Sequence, residues 1–416
     1  MTLRRLALAA ALALPARAAA QAPAAAVQPS PSDAVHADTV PPAAPAEPPR
    51  RDTARATVSM IASPVDYHIT LTGRVQTAWS YSAPDAAAPP VSGPVVGDTS
   101  LFRIHRARIG FSGWIYDPRA TVDVQLDFGS TSALLRRAYL NYALRGKDVQ
   151  LRAGRFIMPL GRMQLTSVFQ QPTLDRAAVA DEFGRGHDDG VMVWGAPAGG
   201  RLEYYAGLFN GDGFNRNAQQ DAGNLWVGRV VLAPLGPVPY SGIALGDTRH
   251  PRFAVGASAS HNSGWLYEVN GTAGLQAPSR TCAAACTTDW GDLAAVRTTA
   301  ADAVLRWRGA SVMAELFRRQ ADPRNDAAPA LRASGGYAQA GVFLLPARLE
   351  AGARRMEYTP DRSARINRVT ENTPFVNLYL RGADLKVMAD VTWQRRTGAD
   401  APLTARRGRI SLLVTF

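Results

Sequence analysis

The chain is short of several things. Of its 416 residues two are cysteine, Cys282 and Cys286, and only Lys147 and Lys386 are lysine. The run T-C-A-A-A-C-T has no C-x-x-C spacing and no nearby histidine, so a tetrahedral zinc site finds no donor set. The expectation is a loop disulfide between Cys282 and Cys286, which would pin little beyond its own loop. No G-x-S-x-G elbow and no phosphate loop are present, so nucleophilic catalysis has no support in the sequence. His187-Asp188-Asp189 are adjacent residues that do not converge easily on one ion. Neither a metal nor another cofactor is expected.

A long apolar helix is also missing. Leu6 to Leu14 falls far short of the roughly 20 residues that span a bilayer, and Pro15 and Arg17 interrupt its end. With Arg4 and Arg5 before it and Ala18-Ala19-Ala20 after it, the stretch reads as a secretory signal peptide over residues 1–20, leaving a chain that begins at Gln21. Residues 21–60 are rich in Ala and Pro, bury too little surface to fold, and predict a flexible periplasmic segment. The domain that folds is 61–416.

Arginine is abundant. The formal charge is +12, or about +9 once Arg4, Arg5 and Arg17 leave with the signal, which implies an anionic solute or partner. Nucleic acid is excluded as a partner by export. Arginine supplies planar forks suited to bidentate contacts with oxyanions.

From residue 67 the hydrophobic period is two. Tyr67, Ile69, Leu71, Val75, Trp79 and Tyr81 share one face, against His68, Thr70, Thr72, Arg74, Gln76 and Ser80 on the other. Val122, Val124, Leu126 and Phe128 oppose Thr121, Asp123, Gln125 and Asp127 in the same way, and 385–394 repeats the pattern. A soluble sandwich also alternates. Runs of about 9 to 12 residues, however, match tilted membrane strands and not sandwich strands of about 5 to 6. Connectors alternate short (116–118, 145–148, 196–200, 309–310, 345–347, 381–383) and long (82–100, 157–187, 211–223, 261–297, 321–333, 359–370, 396–406). Short turns opposite long loops are the pattern of a transmembrane barrel. The count is about sixteen strands, the last running from Arg407 to Phe416, with 264–272 assigned to a long external loop and both termini periplasmic.

Five segments resemble the phosphate-selective porins of Gram-negative outer membranes: F-R-I-H-R-A-R-I-G-F-S-G (102–113), L-R-A-G-R-F-I-M-P-L-G-R (151–162), Y-A-G-L-F-N-G-D-G (205–213), G-Y-A-Q-A-G-V-F-L (336–344) and the closing R-I-S-L-L-V-T-F. The resemblance covers most of the chain from about residue 66. It implies an all-β, antiparallel transmembrane barrel of sixteen strands in the outer membrane, assembled as a homotrimer, with a long third loop folded inward. It also implies that Phe416, ending an alternating strand, is the signal read by the barrel-assembly machinery, with outer-membrane lipid around the wall. The chain departs from known phosphate channels in having almost no lysine.

A strand arginine on the lipid face costs roughly 2 to 4 kcal/mol at the bilayer midplane, so arginines in phase with polar neighbours face the lumen. Arg74, Arg106, Arg108, Arg137 and Arg152 meet that test. The segment from Phe156 to His187, bearing Arg162, Arg176 and Arg185 and preceded by Arg155, is the expected inward loop. These nine arginines are the candidate anion-binding, pore-lining set, with Asp123 and Asp127 as competing partners that would make some of them mere braces. The function read from the sequence is a passive, anion-preferring porin for inorganic phosphate or similar small anions. The alternatives are a general anion porin and an enzyme on a barrel scaffold, such as a lipase, which single-channel recording would separate.

Overall fold

The computed structural model describes residues 57–58, 66–84, 98–129, 133–211, 223–246, 249–266, 293–323, 330–359, 366–398 and 402–416. The signal-like start, nearly all of the Ala/Pro-rich segment, and Cys282 and Cys286 lie outside these residues. From the 21–60 segment Thr57–Val58 is described, and it pairs antiparallel with Thr70 and Ile69.

Sixteen longer strands follow: β1 Tyr67–Pro84, β2 Thr99–Ile115, β3 Asp117–Asp127, β4 Leu134–Arg145, β5 Val149–Ile157, β6 His187–Gly195, β7 Leu202–Phe209 and β8 Leu225–Leu232. The second half comprises β9 Arg252–Leu266, β10 Leu293–Trp307, β11 Ala310–Pro323, β12 Leu331–Leu345, β13 Leu349–Thr359, β14 Ile366–Arg381, β15 Leu385–Gly398 and β16 Leu403–Thr415. Each strand pairs antiparallel with the next, and β16 pairs with β1 from Ala405↔Pro84 to Thr415↔Arg74. The sheet is therefore a closed barrel, which satisfies every strand edge without water. Several strands outrun the 9 to 12 residues expected from the pattern, reaching 18 in β1. Hairpin pairing needs only backbone hydrogen bonds, so it continues past the apolar stretch that sets the sequence signal. Residues 264–266, expected in a loop, are accordingly the end of β9.

The period of two decides which side chains point out. Leu71, Phe111, Leu140, Leu151, Val191, Trp226, Leu316, Val376, Trp393 and Ile410 are exposed, while their polar neighbours Gln76, Gln125, Asn141, Thr392 and Ser411 are buried. Tight turns close one end. At Arg308-Gly309 both residues take positive φ, 47° and 77°, the left-handed pair that matches the twist of the flanking strands.

Two connections depart from a simple tube. Met158–Gly186 carries two short helices, α1 Arg162–Leu165 and α2 Ala178–Phe183. Met163, Val179, Ala180 and Phe183 are fully buried there against Val304, Met313, Phe317, Tyr337, Met356 and Val369, inner-phase residues of β10–β14. Phe183 stacks on Phe317 with ring centroids 5.4 Å apart. Beneath these two helices the inner face of β10–β14 thus carries a packed apolar patch.

The second connection is 233–251, at the short-turn end yet not short. Its run P-L-G-P-V-P-Y-S-G reads locally as successive turns, and its length gave no separate signal. Val238, Ile243 and Ala244 are buried, and the amide of Gly242 donates to the carbonyl of Gln170 at 2.8 Å. This connection and Met158–Gly186 therefore meet.

Candidate functional site

Arg74 on β1 pairs across the sheet with Arg108 on β2, Gln76 with Arg106, Gln125 with Arg137 on β4, and Asn141 with Arg152 on β5. All these residues share the inner phase. Two β-bulges add to the set. Opposite Gln76 and Thr77 the register skips His105, and opposite Gln125 and Leu126 it skips Arg136. A bulge sets two residues against one and re-aims a side chain. His105 and Arg106 thereby reach the same carboxylate, and Arg136 approaches Asp127 at 3.5 Å. Strict alternation in the sequence could not find His105 or Arg136, because the bulge breaks the period of two.

The carboxylates are shared among more arginines than they can neutralise. Arg108 donates to Asp127 at 2.7 Å and Arg137 donates to Asp123. Arg106 donates to Gln76 Oε1 at 2.8 Å, to the carbonyl of Leu174 at 2.9 Å and to Asp175 at 2.5 Å. Arg152 forms no ion pair among the described residues. Its guanidinium lies 4.4 Å from the ring centre of Tyr139, 4.9 Å from Trp194 and 5.5 Å from Phe156. Such contacts favour the cation without cancelling its charge. Arg74 and Arg108 both approach the ring of Phe169, at 5.2 and 4.9 Å.

Asp175, marked by no motif or period in the sequence, joins three walls. It accepts hydrogen bonds from Arg106 and Arg409, its carboxylate lies 3.0 Å from His105 Nε2, and its carbonyl accepts from Arg354 at 2.9 Å. Burial pushes its pKa up, but the His105 contact and the charges of Arg106 and Arg409 outweigh that and hold it well below the usual carboxylate range. Arg409 is 1% exposed, and Asp390 takes two of its donors at 2.8 Å. Lys386 donates to the carbonyl of Gln171 at 3.0 Å and Asn377 to that of Pro172 at 2.8 Å. Inner-phase polar residues of β13–β16 thus hold the backbone of 171–175.

The remaining predicted arginines have other surroundings. Arg155 pairs across the sheet with Ala138 and Asp189 and falls in the phase of exposed Leu151, so it belongs to the outward set. Gly154 precedes it, and sequence position alone groups it with the loop. Two of its nitrogens donate to Asp189, at 2.8 and 2.7 Å. Arg162 is fully buried, donates to the carbonyls of Val238 and Pro239 at 3.0 and 2.8 Å, and lies over Tyr240. Arg176 donates to the carbonyls of Met163, Gln164 and Thr166. Arg185 is half-buried just before β6. Arg162 and Arg176 therefore brace the segment, and their guanidinium groups are occupied by carbonyl oxygens.

Accessible inner charge lies on the first strands. Arg137 retains 35% of its side-chain surface and Arg136 22%, whereas Arg229, Arg306, Glu315, Arg354 and Lys386 on the opposite wall are buried. A unit negative charge 4 Å from one arginine gains about 4 kcal/mol at an effective dielectric near 20. The wall of β1–β5 can attract an oxyanion, and its aspartates keep the grip short.

Comparison with known proteins bears on the family and the fold. The profile of the family described as phosphate-selective porin O and P matches residues 90–400. The chain belongs to this family. Sequence comparison with curated proteins found no match. Among solved structures, the barrel is similar to the anion-selective porin from Comamonas acidovorans, at 12% identity and a TM-score of 0.55 over 84% of this chain and 100% of that one. It is similar also to the outer-membrane channel DcaP of Acinetobacter baumannii, at 10% identity and a TM-score of 0.56 over 84% and 97%. A third is the trimer form of OmpT, an outer-membrane protein of Vibrio cholerae, at 9% identity and a TM-score of 0.51 over 84% and 99%. At these identities the likeness is one of fold. The protein is an outer-membrane porin, a channel and not an enzyme.

Proposed function

We propose that this porin is an anion-preferring channel that passes phosphate and similar small oxyanions. The observation that carries the reading is the excess of arginine over carboxylate on the inner phase of β1–β5. Arg74, Arg106, Arg108, Arg136, Arg137 and Arg152 stand against Asp123 and Asp127 on the same strands. In this reading 158–186 folds inward as the constriction, and the path for ions runs between it and β1–β5. The long loops face outward, both termini are periplasmic, and three copies assemble, as in the trimeric neighbour. The C-terminal Phe416 is read by the barrel-assembly machinery.

A second reading, a general anion porin, is favoured by the engagement of Arg106, Arg108 and Arg137 with aspartates, which leaves fewer donors for a tetrahedral ion. One experiment separates the two. The reversal potential of purified protein in a planar bilayer is measured across a potassium chloride gradient, and phosphate is then titrated. Anion selectivity with phosphate block of the chloride current is the expected result. Anion selectivity without block selects the general porin, and cation selectivity rejects both.

A further inference from the structure

The outer surface of the barrel is not uniform at its long-loop end. On each of the seven consecutive strands β10–β16 one exposed arginine stands at that end in the outward phase. They are Arg297, Arg318, Arg332 and Arg355 on β10–β13, and Arg368, Arg395 and Arg406 on β14–β16. Closer to the short-turn end the same outward faces are apolar: Leu305 and Trp307 below Arg297, Val312 and Leu316 below Arg318, Val391 and Trp393 below Arg395, Ile410 and Leu412 below Arg406. Ten residues separate Arg406 from Phe416. At a rise near 3.4 Å and a tilt near 40° they span about 25 Å, the height of the lipid-facing apolar band. The arginines therefore lie at the band's edge, where lipid headgroups begin.

The acids do not match them. Among the described residues the ion pairs of this belt are Arg368 with Glu357 at 3.2 Å and Arg355 with the same carboxylate at 4.0 Å. On β3–β9 the outward faces carry one arginine near that end, Arg155, and Asp189 holds it. A charged side chain costs little at the interface and much at the midplane, so an interfacial arginine needs no special partner. Outward-phase Asp322 on β11, which accepts from Gln320, is the second carboxylate at this end. Seven arginines on neighbouring strands with two carboxylates repel each other unless anions lie between them.

We infer that this belt binds a phosphorylated glycolipid of the outer leaflet, the phosphates lying between arginines of adjacent strands and the acyl chains on the outward faces beneath. Those faces are smooth, because Ala303, Ala314 and Ala338 stand in cross-strand register and so do Ala340 and Ala353. A second copy of the chain fits less well, since two such belts would bring like charges together. Planar forks on arginine suit phosphate oxygens. The inference rests on the proposed orientation, with long loops outside, and not on anion preference in the lumen.

The test uses full-length protein in a nonionic detergent, titrated with lipid A bearing both phosphates and with dephosphorylated lipid A, bound lipid being read by native mass spectrometry. The unmodified protein should prefer the phosphorylated form by roughly tenfold or more, since each basic residue near an anionic lipid surface contributes a sizeable attraction. The combined variant Arg318→Ser, Arg332→Ser, Arg395→Ser and Arg406→Ser should lose most of that preference while keeping its reversal potential, because these side chains do not face the lumen. Equal binding of the two lipids by the unmodified protein overturns the proposal without requiring any variant. A variant that falls apart into monomers with lipid A binding unchanged also overturns it and marks the face as a contact between copies. An epitope inserted at 399–401 should be accessible on intact cells, and a hidden epitope would put the arginines at the other leaflet and overturn the assignment to this lipid. A cation-selective channel with lipid preference intact would defeat the proposed function and leave this inference standing.

Discussion

Arg106 and Asp175 are joined at 2.5 Å, linking β2 to a segment whose backbone is gripped from the far wall by Lys386, Asn377 and Arg354. The same carboxylate accepts from Arg409 on β16. Asp175 thus ties 158–186 to both sides of the seam where the barrel closes.

Asp175→Asn should leave the barrel folded and loosen the segment. Hydrogen bonds to charged groups are worth about 1.5 to 3 kcal/mol each. With Asp175 partly open to solvent, the two arginine contacts together should cost about 2 to 3 kcal/mol. The checks are the urea midpoint of detergent-solubilised protein and the noise of the open-channel current. A midpoint and noise equal to those of the unmodified protein would show that the anchor carries no weight.

Asp181 responds to acid differently from Asp175. Its side chain opens toward solvent, yet loss of water around the carboxyl raises its pKa, with Arg176 and a hydrogen bond from Gln164 opposing. A carboxyl raised on folding takes up its proton at higher pH in the folded state. Its stabilising contribution is full below the unfolded value and fades as pH rises through the folded one. Asp175, depressed, contributes above the unfolded value of about 3.9 and loses that contribution as pH falls through its folded pKa. Between the two, acid neutralises Asp181 while Asp175 stays ionised. Anion preference should therefore increase as pH falls from neutral into the acid range, and Asp181→Asn should show the acid value already at neutral pH. A reversal potential independent of pH in the unmodified protein would contradict this.

Phe317 lies under the helical part of the segment, stacked on Phe183. Truncating it to alanine should cost about 3 to 5 kcal/mol, the range for a buried phenylalanine, and should also widen the distribution of channel conductances. A loss of stability without any change in conductance would separate this packing from the ion path.

The barrel was legible in the sequence because lipid on one face and water or polar groups on the other enforce a period of two. Thr121, Asp123, Gln125 and Asp127 could be assigned to the inner face without coordinates. Three things were not legible. The bulges at His105 and Arg136 depend on backbone pairing with a partner strand and leave no mark on local pattern. Met313, Phe317 and Met356 look outward-facing by chemistry, but they point inward to a second layer that only the long connection supplies. The third is the difference between an arginine that presents charge and one that braces: Arg162 and Arg176 differ from Arg137 in the carbonyl oxygens around them, and those come from residues distant in sequence or from a loop whose fold has no period.

Arg152 offers the cleanest test of the inner charge. Replacing Arg106, Arg108 or Arg137 also releases an aspartate, so the local charge changes twice in effect. Arg152 sits among three aromatic rings and forms no ion pair among the described residues. Arg152→Met should reduce anion selectivity in the reversal potential, and the lost cation–π contacts should cost about 0.5 to 2 kcal/mol in stability. Unchanged selectivity in a folded variant would remove Arg152 from the proposed ion path.

Closure of the barrel depends on Gly73 and Phe416. The amide of Gly73 donates to the carbonyl of Phe416 at 2.7 Å, and the amide of Phe416 donates back to Gly73 at 2.9 Å. The Phe416 ring covers Gly73 so closely that a methyl group there would overlap it. This mutual pair ends the β16–β1 ladder, the one junction that a barrel must form between strands distant in sequence. Gly73→Val should therefore displace the ring, and deletion of Phe416 should remove it together with two backbone hydrogen bonds. Both variants should lower the amount of heat-modifiable, folded protein in the outer membrane. They should differ in one respect: detergent refolding of purified chains tests closure alone, whereas assembly in cells also tests the proposed recognition of the terminal residue. If Phe416 serves closure only, the two variants will fail to similar extents in both settings. A deletion that refolds in detergent as well as the unmodified chain but is lost from cells would assign the residue to recognition. Unchanged assembly of the deletion at low expression would deny it both roles.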